Sequence, residues 1–154
     1  MRQENWSGRE LKTHTYYQFI IIPYYTNSPF RETFTIVDPK DPYVSQLDRR
    51  IYYNDNIAIN AENSKTFVMA NLNNNYELIA NVPHVGSWER FVLMAAEDDT
   101  LRRNVVCYGN SINLRAYNGK YVMYNMDGEH LLSAVADRPS KWEKFFLICP
   151  DSFK

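Results

Sequence analysis

Part of this chain is written twice, and that constrains its fold more than any other feature. Ile57-Ala-Ile-Asn-Ala-Glu-Asn63 lies over Ile112-Asn-Leu-Arg-Ala-Tyr-Asn118, and Lys65 lies over Lys120. After a one-residue insertion, Phe67-Val68-Met69 meets Tyr121-Val122-Met123, Asn71 meets Asn125, and Leu78 and Ala80 meet Leu132 and Ala134. Trp88-Glu-Arg-Phe-Val-Leu93 then matches Trp142-Glu-Lys-Phe-Phe-Leu147. A weaker copy precedes these. Arg31-Glu-Thr-Phe-Thr-Ile36 keeps the Glu, Phe and aliphatic positions, with Arg31 in place of Trp, and Phe19-Ile20-Ile21 reads as the counterpart of Tyr76-Glu77-Leu78. Arg49-Arg50-Ile-Tyr-Tyr echoes Arg102-Arg103-Asn-Val-Val. A fixed period of about 54–57 residues means stacked supersecondary units, each burying its apolar face on its neighbours.

Within each unit the local signals are strands and turns. Ile112, Leu114 and Ala116 alternate with Asn113, Arg115 and Tyr117, which is the period of a strand. Asn118-Gly119 marks a tight turn, Tyr121 to Tyr124 the return strand, and Asp127-Gly128 the next turn. Leu131 to Val135 and Lys144 to Ile148 supply two further strands. Aromatic residues make up 15% of the chain and favour pleated, half-buried surfaces, in line with this reading. The expectation is an all-β chain: a single domain over 1–154 with three pseudo-symmetric four-stranded units near 1–50, 51–103 and 104–154. The first unit is read as shortened at its N-terminal end. Three such units match the arithmetic of a β-trefoil, a six-stranded barrel capped by three hairpins, whereas propellers usually need at least four blades.

The string Leu114-Arg-Ala-Tyr-Asn-Gly-Lys-Tyr-Val122, followed by Leu132-x-Ala134 and Trp142-Glu-x-Phe-x-Leu147, resembles the repeat of fascin-like and lectin-like β-trefoils. The second unit keeps this skeleton with Asn63-Ser64-Lys65, and the first keeps only Glu32, Phe34 and Ile36. The resemblance implies a trefoil fold and a binding role, for carbohydrate or for a protein filament such as actin. Fold alone does not choose between these.

Several function classes are excluded or disfavoured. A net charge of −1 gives no broad electrostatic grip on a polyanion, so nucleic acid is not expected as a partner. Cys107 and Cys149 form neither a CxxC pair nor a disulfide framework. The polar start of the chain lacks a secretory pattern, and the apolar run Phe19 to Tyr25 is too short to cross a bilayer, so a soluble chain without membrane insertion is expected. His14, His84 and His130 have no metal-ligand spacing, and neither a GxSxG elbow nor a Walker loop occurs. No enzyme activity and no cofactor are expected. Glu97-Asp98-Asp99 reads as a solvated charge run.

Trp88 and Trp142 invite a sugar-stacking role, but their register with Phe91, Leu93, Phe145 and Leu147 assigns them to a repeated core. Glu89 and Glu143 recur as partners for backbone groups rather than general acids. Binding positions need not repeat, so the variable loops carry the candidates. These are Tyr117, Asn118, Tyr124, Asn125, Asp127 and His130 in the third unit, and Asn73, Asn75 and Tyr76, with Asn71, Asn74 and His84, in the second. Amides, a carboxylate and Tyr rings suit sugar hydroxyls and ring faces, although Asn and Asp are also ordinary turn formers. The expected function is non-enzymatic binding of glycans or a glycoprotein. The alternatives are a fascin-like filament contact, or the recognition component of a toxin or adhesin.

Overall fold

The computed structural model describes residues 9–13, 18–23, 33–40, 49–61, 66–96, 104–125 and 131–150. These form ten antiparallel strands: β1 Ile20–Pro23, β2 Phe34–Val37, β3 Asn56–Ala61, β4 Thr66–Asn71, β5 Glu77–Val82, β6 Phe91–Ala95, β7 Ser111–Ala116, β8 Tyr121–Asn125, β9 Leu131–Ala136 and β10 Phe145–Ile148. Three single 3₁₀ turns, at Leu72–Asn74, Ser87–Glu89 and Lys141–Glu143, are the helical elements among the described residues. The all-β expectation holds.

Seven strands close on themselves in the order β7-β6-β3-β4-β5-β9-β8, with β8 pairing back to β7. Outside this ring β2 pairs with β3, β10 with β7, and β1 with β10. Closure removes unpaired sheet edges, which otherwise template association with other chains.

The repeat is visible in the strand registers themselves. Phe91↔Ala116, Leu93↔Leu114 and Met94↔Asn113 reproduce Phe34↔Ala61, Ile36↔Ile59 and Val37↔Ala58 one unit earlier. Both hairpins, β4–β5 and β8–β9, carry a bulge at the same place, between Phe67 and Val68 and between Tyr121 and Val122. Tyr52-Tyr53-Asn54-Asp55 and Cys107-Tyr108-Gly109-Asn110 make the same turn, with positive φ at Asn54 (73°) and Gly109 (88°). The amides of those two residues donate to Leu93 O and Leu147 O, each at 2.7 Å.

The first unit differs from its expected form. β1 pairs Ile21 with Leu147 as β7 pairs Leu114 with Leu93, so Phe19-Ile20-Ile21 corresponds to the opening strand of the later units, not to Tyr76-Glu77-Leu78. Ten positions (24–33) separate β1 from β2, where 62–90 separate β3 from β6 and 117–144 separate β7 from β10. The first unit is therefore shortened in its middle rather than at its N-terminal end. That span is about a third of the ones that hold β4–β5 and β8–β9. The expected trefoil of three four-stranded units is corrected accordingly: two units carry a hairpin, these hairpins meet through β5–β9, and a seven-stranded ring results. The dibasic echo is corrected too. Ile51 answers to Val106, not to Asn104, because Tyr52↔Val105 and Glu10↔Cys107 are the equivalent bridges.

Chemically matched side chains from all three units fill the core. Leu11, Ile51 and Val106, and likewise Ile36, Leu93 and Leu147, are buried in one main core. Phe91 and Phe145 are fully buried, while their counterpart Phe34 is partly exposed and packs its ring 5.8 Å from Phe19. Burial on this scale, at roughly 25 cal/mol per Å² of apolar surface, is the main driving force set against the entropy of the free chain.

Candidate functional site

Glu89 and Glu143 each fold back to close a 3₁₀ turn. Glu89 Oε1 accepts from Gly86 N at 2.6 Å, and Glu143 Oε1 accepts from Ser140 N at 2.8 Å and Ser140 Oγ at 2.7 Å. Both carboxylates are buried, at 5% and 4% exposure. A buried charge is tolerated only when hydrogen-bonded, and here it holds each turn so that the tryptophan-bearing segment packs on the barrel. The repeat pattern predicts Trp88 and Trp142 to be largely buried. Both are partly buried and packed against the core rather than within it.

The rim position gives Trp88 an outer face that other aromatics use. Tyr76 lies 5.8 Å from it, centroid to centroid, and Tyr117 lies 5.5 Å away in an edge-on arrangement. Offset and edge-on aromatic pairs of this kind contribute about 0.5–1.5 kcal/mol beyond their burial. Tyr117 is nevertheless 62% exposed. The two tyrosines come from different units, and Ala134 of β9 ties their loops together. Its amide donates to Tyr76 O at 2.9 Å, and its carbonyl accepts from Asn118 Nδ2 at 3.0 Å.

Each tyrosine is presented by a specific turn. In the β7–β8 hairpin, Gly119 N donates to Ala116 O at 3.0 Å and Gly119 takes φ 80°. This is a three-residue loop ending in a left-handed glycine, and it carries Tyr117 outward. In the β4–β5 hairpin, Asn71 Oδ1 accepts from Asn73 N at 3.1 Å, and Asn74 Nδ2 donates to Glu77 Oε2 at 2.8 Å. Asn75 and Tyr76 then both adopt left-handed backbone, φ 55° and 58°. Asn does so readily, but a bulky residue such as Tyr rarely does, and strain of this kind tends to gather at functional surfaces.

The sequence candidates thus divide. Tyr76, Tyr117 and Asn118 are brought together with Trp88, and Asn73 and Asn75 stand exposed on the hairpin that carries Tyr76. Asn118 is occupied by the turn itself, since its Oδ1 accepts from Lys120 N at 3.0 Å. At the same turn Lys120 pairs with Asp137 and, by hydrogen bond and charge, holds that carboxyl below the usual Asp range. Asn125 is exposed at the end of β8, and His84 is exposed between β5 and β6. Asp127 and His130 lie outside the described residues, as do Arg31, Glu32 and Glu97-Asp98-Asp99. Arg49 and Arg50 are paired with Asp38 at 3.1 Å and Glu10 at 3.0 Å.

Tyr124 is corrected. It closes the expected return strand yet stands among the variable-loop binding candidates; it lies in strand β8 and is 8% exposed, within the main core. A strand of this barrel turns alternate residues inward, so Val122 and Tyr124 point to the core together. Tyr124→Ala is expected to cost about 2–3 kcal/mol, somewhat below the usual range for large buried aromatics. Urea titration with the wild-type chain alongside checks this; a change within experimental error would return Tyr124 to the surface.

Among the described residues, no three His, Cys, Asp or Glu side chains gather as a metal-binding group. No helix of the described residues is long and apolar enough to cross a membrane. Both cysteines are free thiols, Cys149 being buried.

No family model matches this sequence, and no curated protein matches it. The fold is similar to that of a Caenorhabditis elegans protein of unknown function solved by structural genomics. That match has a TM-score of 0.69 and 9% identity, covering 92% of this chain and 97% of the other. It is also similar to the SDF2-like protein from Arabidopsis thaliana, with a TM-score of 0.66 and 6% identity over 90% of this chain and 94% of that one. At such identities the likeness is one of fold alone. These neighbours and the seven-stranded closed ring overturn the resemblance to fascin-like and lectin-like trefoils. Motifs such as Asn-Gly-Lys and Trp-Glu-x-Phe encode a turn and a capped core segment, and such local devices do not identify a family.

Proposed function

We propose that the chain is a non-catalytic carbohydrate-binding domain whose platform is formed by Tyr117, Trp88 and Tyr76. The supporting observation is a cluster of three aromatic rings whose outermost member, Tyr117, is 62% exposed. An aromatic face packs on the apolar face of a pyranose, and the exposed amides of Asn73 and Asn75 supply donors and acceptors for its hydroxyls. Tyr76, presented from left-handed backbone with its ring 5.8 Å from Trp88, forms the inner wall of the platform. Binding at one shallow platform is expected to be weak, and useful avidity then comes from multivalent display.

A glycan array probed with a multivalent form of the chain, beside its Tyr117→Ala variant, tests the reading. Wild type is expected to bind a restricted glycan set and the variant to lose it. Stability should fall by no more than about 1.5 kcal/mol, the scale of one aromatic pair. Retained glycan binding in the variant would reject the platform. Absence of any glycan signal would reject carbohydrate as the ligand and leave the exposed aromatics, with the neighbouring exposed Leu72, as a protein contact.

A further inference from the structure

The barrel face that presents Tyr117 also presents arginines. Phe91 and Ala116 pair across β6 and β7 and are buried, so the positions on either side of them face outward. On one side the pair is Val92↔Arg115. On the other, the register carried one step further sets Arg90 opposite Tyr117. Arg90 keeps extended backbone, φ −98° and ψ 136°, which continues the line of β6. Both arginines are exposed. Arg115 stands two residues before Tyr117, and Arg90 two residues after Trp88, whose ring Tyr117 meets edge-on. Diagonal neighbours across an antiparallel pair lie about 7–8 Å apart, within reach of long side chains. Two guanidinium groups and the outermost ring of the platform therefore share one patch.

Neither guanidinium has a carboxylate partner among the described residues, whereas Arg49 and Arg50 are both paired. The acidic side chains described on the elements around the patch are engaged elsewhere. Glu89 is buried on Gly86 N, Glu77 accepts from Asn74, and Asp137 pairs with Lys120. Arg138 adds a further positive charge beside Asp137. In a chain of net charge −1 this is a local excess of positive charge. Surface arginines are ordinarily solvated; these two are set in register with a tyrosine that is 62% exposed. A guanidinium offers a planar fork of donors that matches a carboxylate or a sulfate.

We propose that the platform takes an acidic glycan, a sugar that stacks on Tyr117 and turns one carboxylate or sulfate toward Arg115 and Arg90. This rests on the carbohydrate reading above and adds the charge of the ligand to it. One anionic group suffices, since a few surface cations do not make a track for a polyanion.

The test is NMR titration of the isotope-labelled chain with methyl glycosides of glucose and galactose, each as the neutral sugar, the uronate and the 6-sulfate. At least one acidic member is expected to give saturable shifts at Tyr117, Trp88 and Arg115. It should bind about tenfold more tightly than its neutral parent, the effect of one charge-assisted contact. Uronate against sulfate shows which anion is recognised. Added salt should narrow the gap, because the contact is exposed. Arg90→Gln combined with Arg115→Gln should bring the acidic sugar down to the affinity of its neutral parent, and Tyr117→Ala should remove binding of every member. Equal binding of neutral and acidic sugars, lost in Tyr117→Ala, overturns the acidic specificity and keeps the platform. Unchanged acidic affinity in the arginine double variant overturns the anion contact. Acidic binding that survives Tyr117→Ala overturns the stacking, and no saturable shift with any sugar overturns both readings.

Discussion

Phe145→Ala is expected to lose about 3–5 kcal/mol of stability, the range for removing a buried aromatic that leaves a cavity. Phe145 is fully buried, and its strand position faces Ile112 on one side and Pro23 on the other. It thus packs where β10 joins both β7 and β1. Partial collapse around the void is restrained by pairing on both sides, so the loss should lie toward the upper end. Against a total stability of about 5–15 kcal/mol, that is enough to unfold a substantial fraction of molecules on mild heating. Denaturant midpoints measured with an unchanged slope would report it as a stability effect. Phe34 holds the equivalent place in the first unit but is partly exposed, and Phe34→Ala should cost clearly less. Equal losses at the two positions would show that the shortened unit packs as tightly as the complete ones.

Glu143→Ala is expected to cost about 3–5 kcal/mol, because it removes two hydrogen bonds to a charged acceptor, each worth about 1.5–3 kcal/mol. The bonds run from Ser140 N and Ser140 Oγ to the same carboxylate oxygen, which is buried. Without it both donors lose their acceptor, the 3₁₀ turn loosens, and Trp142 loses its anchorage on the core. Glu143→Gln keeps an acceptor oxygen and should recover more than half of the loss. If Gln and Ala are equally damaging, negative charge rather than geometry holds the turn. If neither matters, the turn is set by packing of Trp142 alone. Thermal melts, with Trp142 fluorescence as a local readout, distinguish these outcomes.

The core and its repeat were legible because they obey local rules. Alternation at Ile112, Leu114 and Ala116 follows from the two-residue period of a strand, and the Glu two residues before each Phe follows from the need to close a turn. The platform was half legible. Setting variable loops against repeated scaffold singled out Tyr76 and Tyr117, but repetition assigned Trp88 to the core. A residue at the rim serves both packing and surface, and repetition cannot separate the two. Tyr124 failed for the converse reason: it was grouped with the loop residues that follow it, whereas strand parity sends its ring inward.

By itself the sequence determined that the fold is all-β, that its units share one core pattern with a recurring Glu, and where the Asn118-Gly119 turn falls. Each of these is a matter of neighbours a few residues apart, governed by side-chain period, turn conformation and short-range hydrogen bonds. Only the tertiary structure decided how the strands close. β5 of the second unit meets β9 of the third, and the ring takes seven strands. That same pairing brings Tyr76 and Tyr117 from separate units onto Trp88, because strand partners distant in sequence are chosen by burial and closure, which no local pattern records.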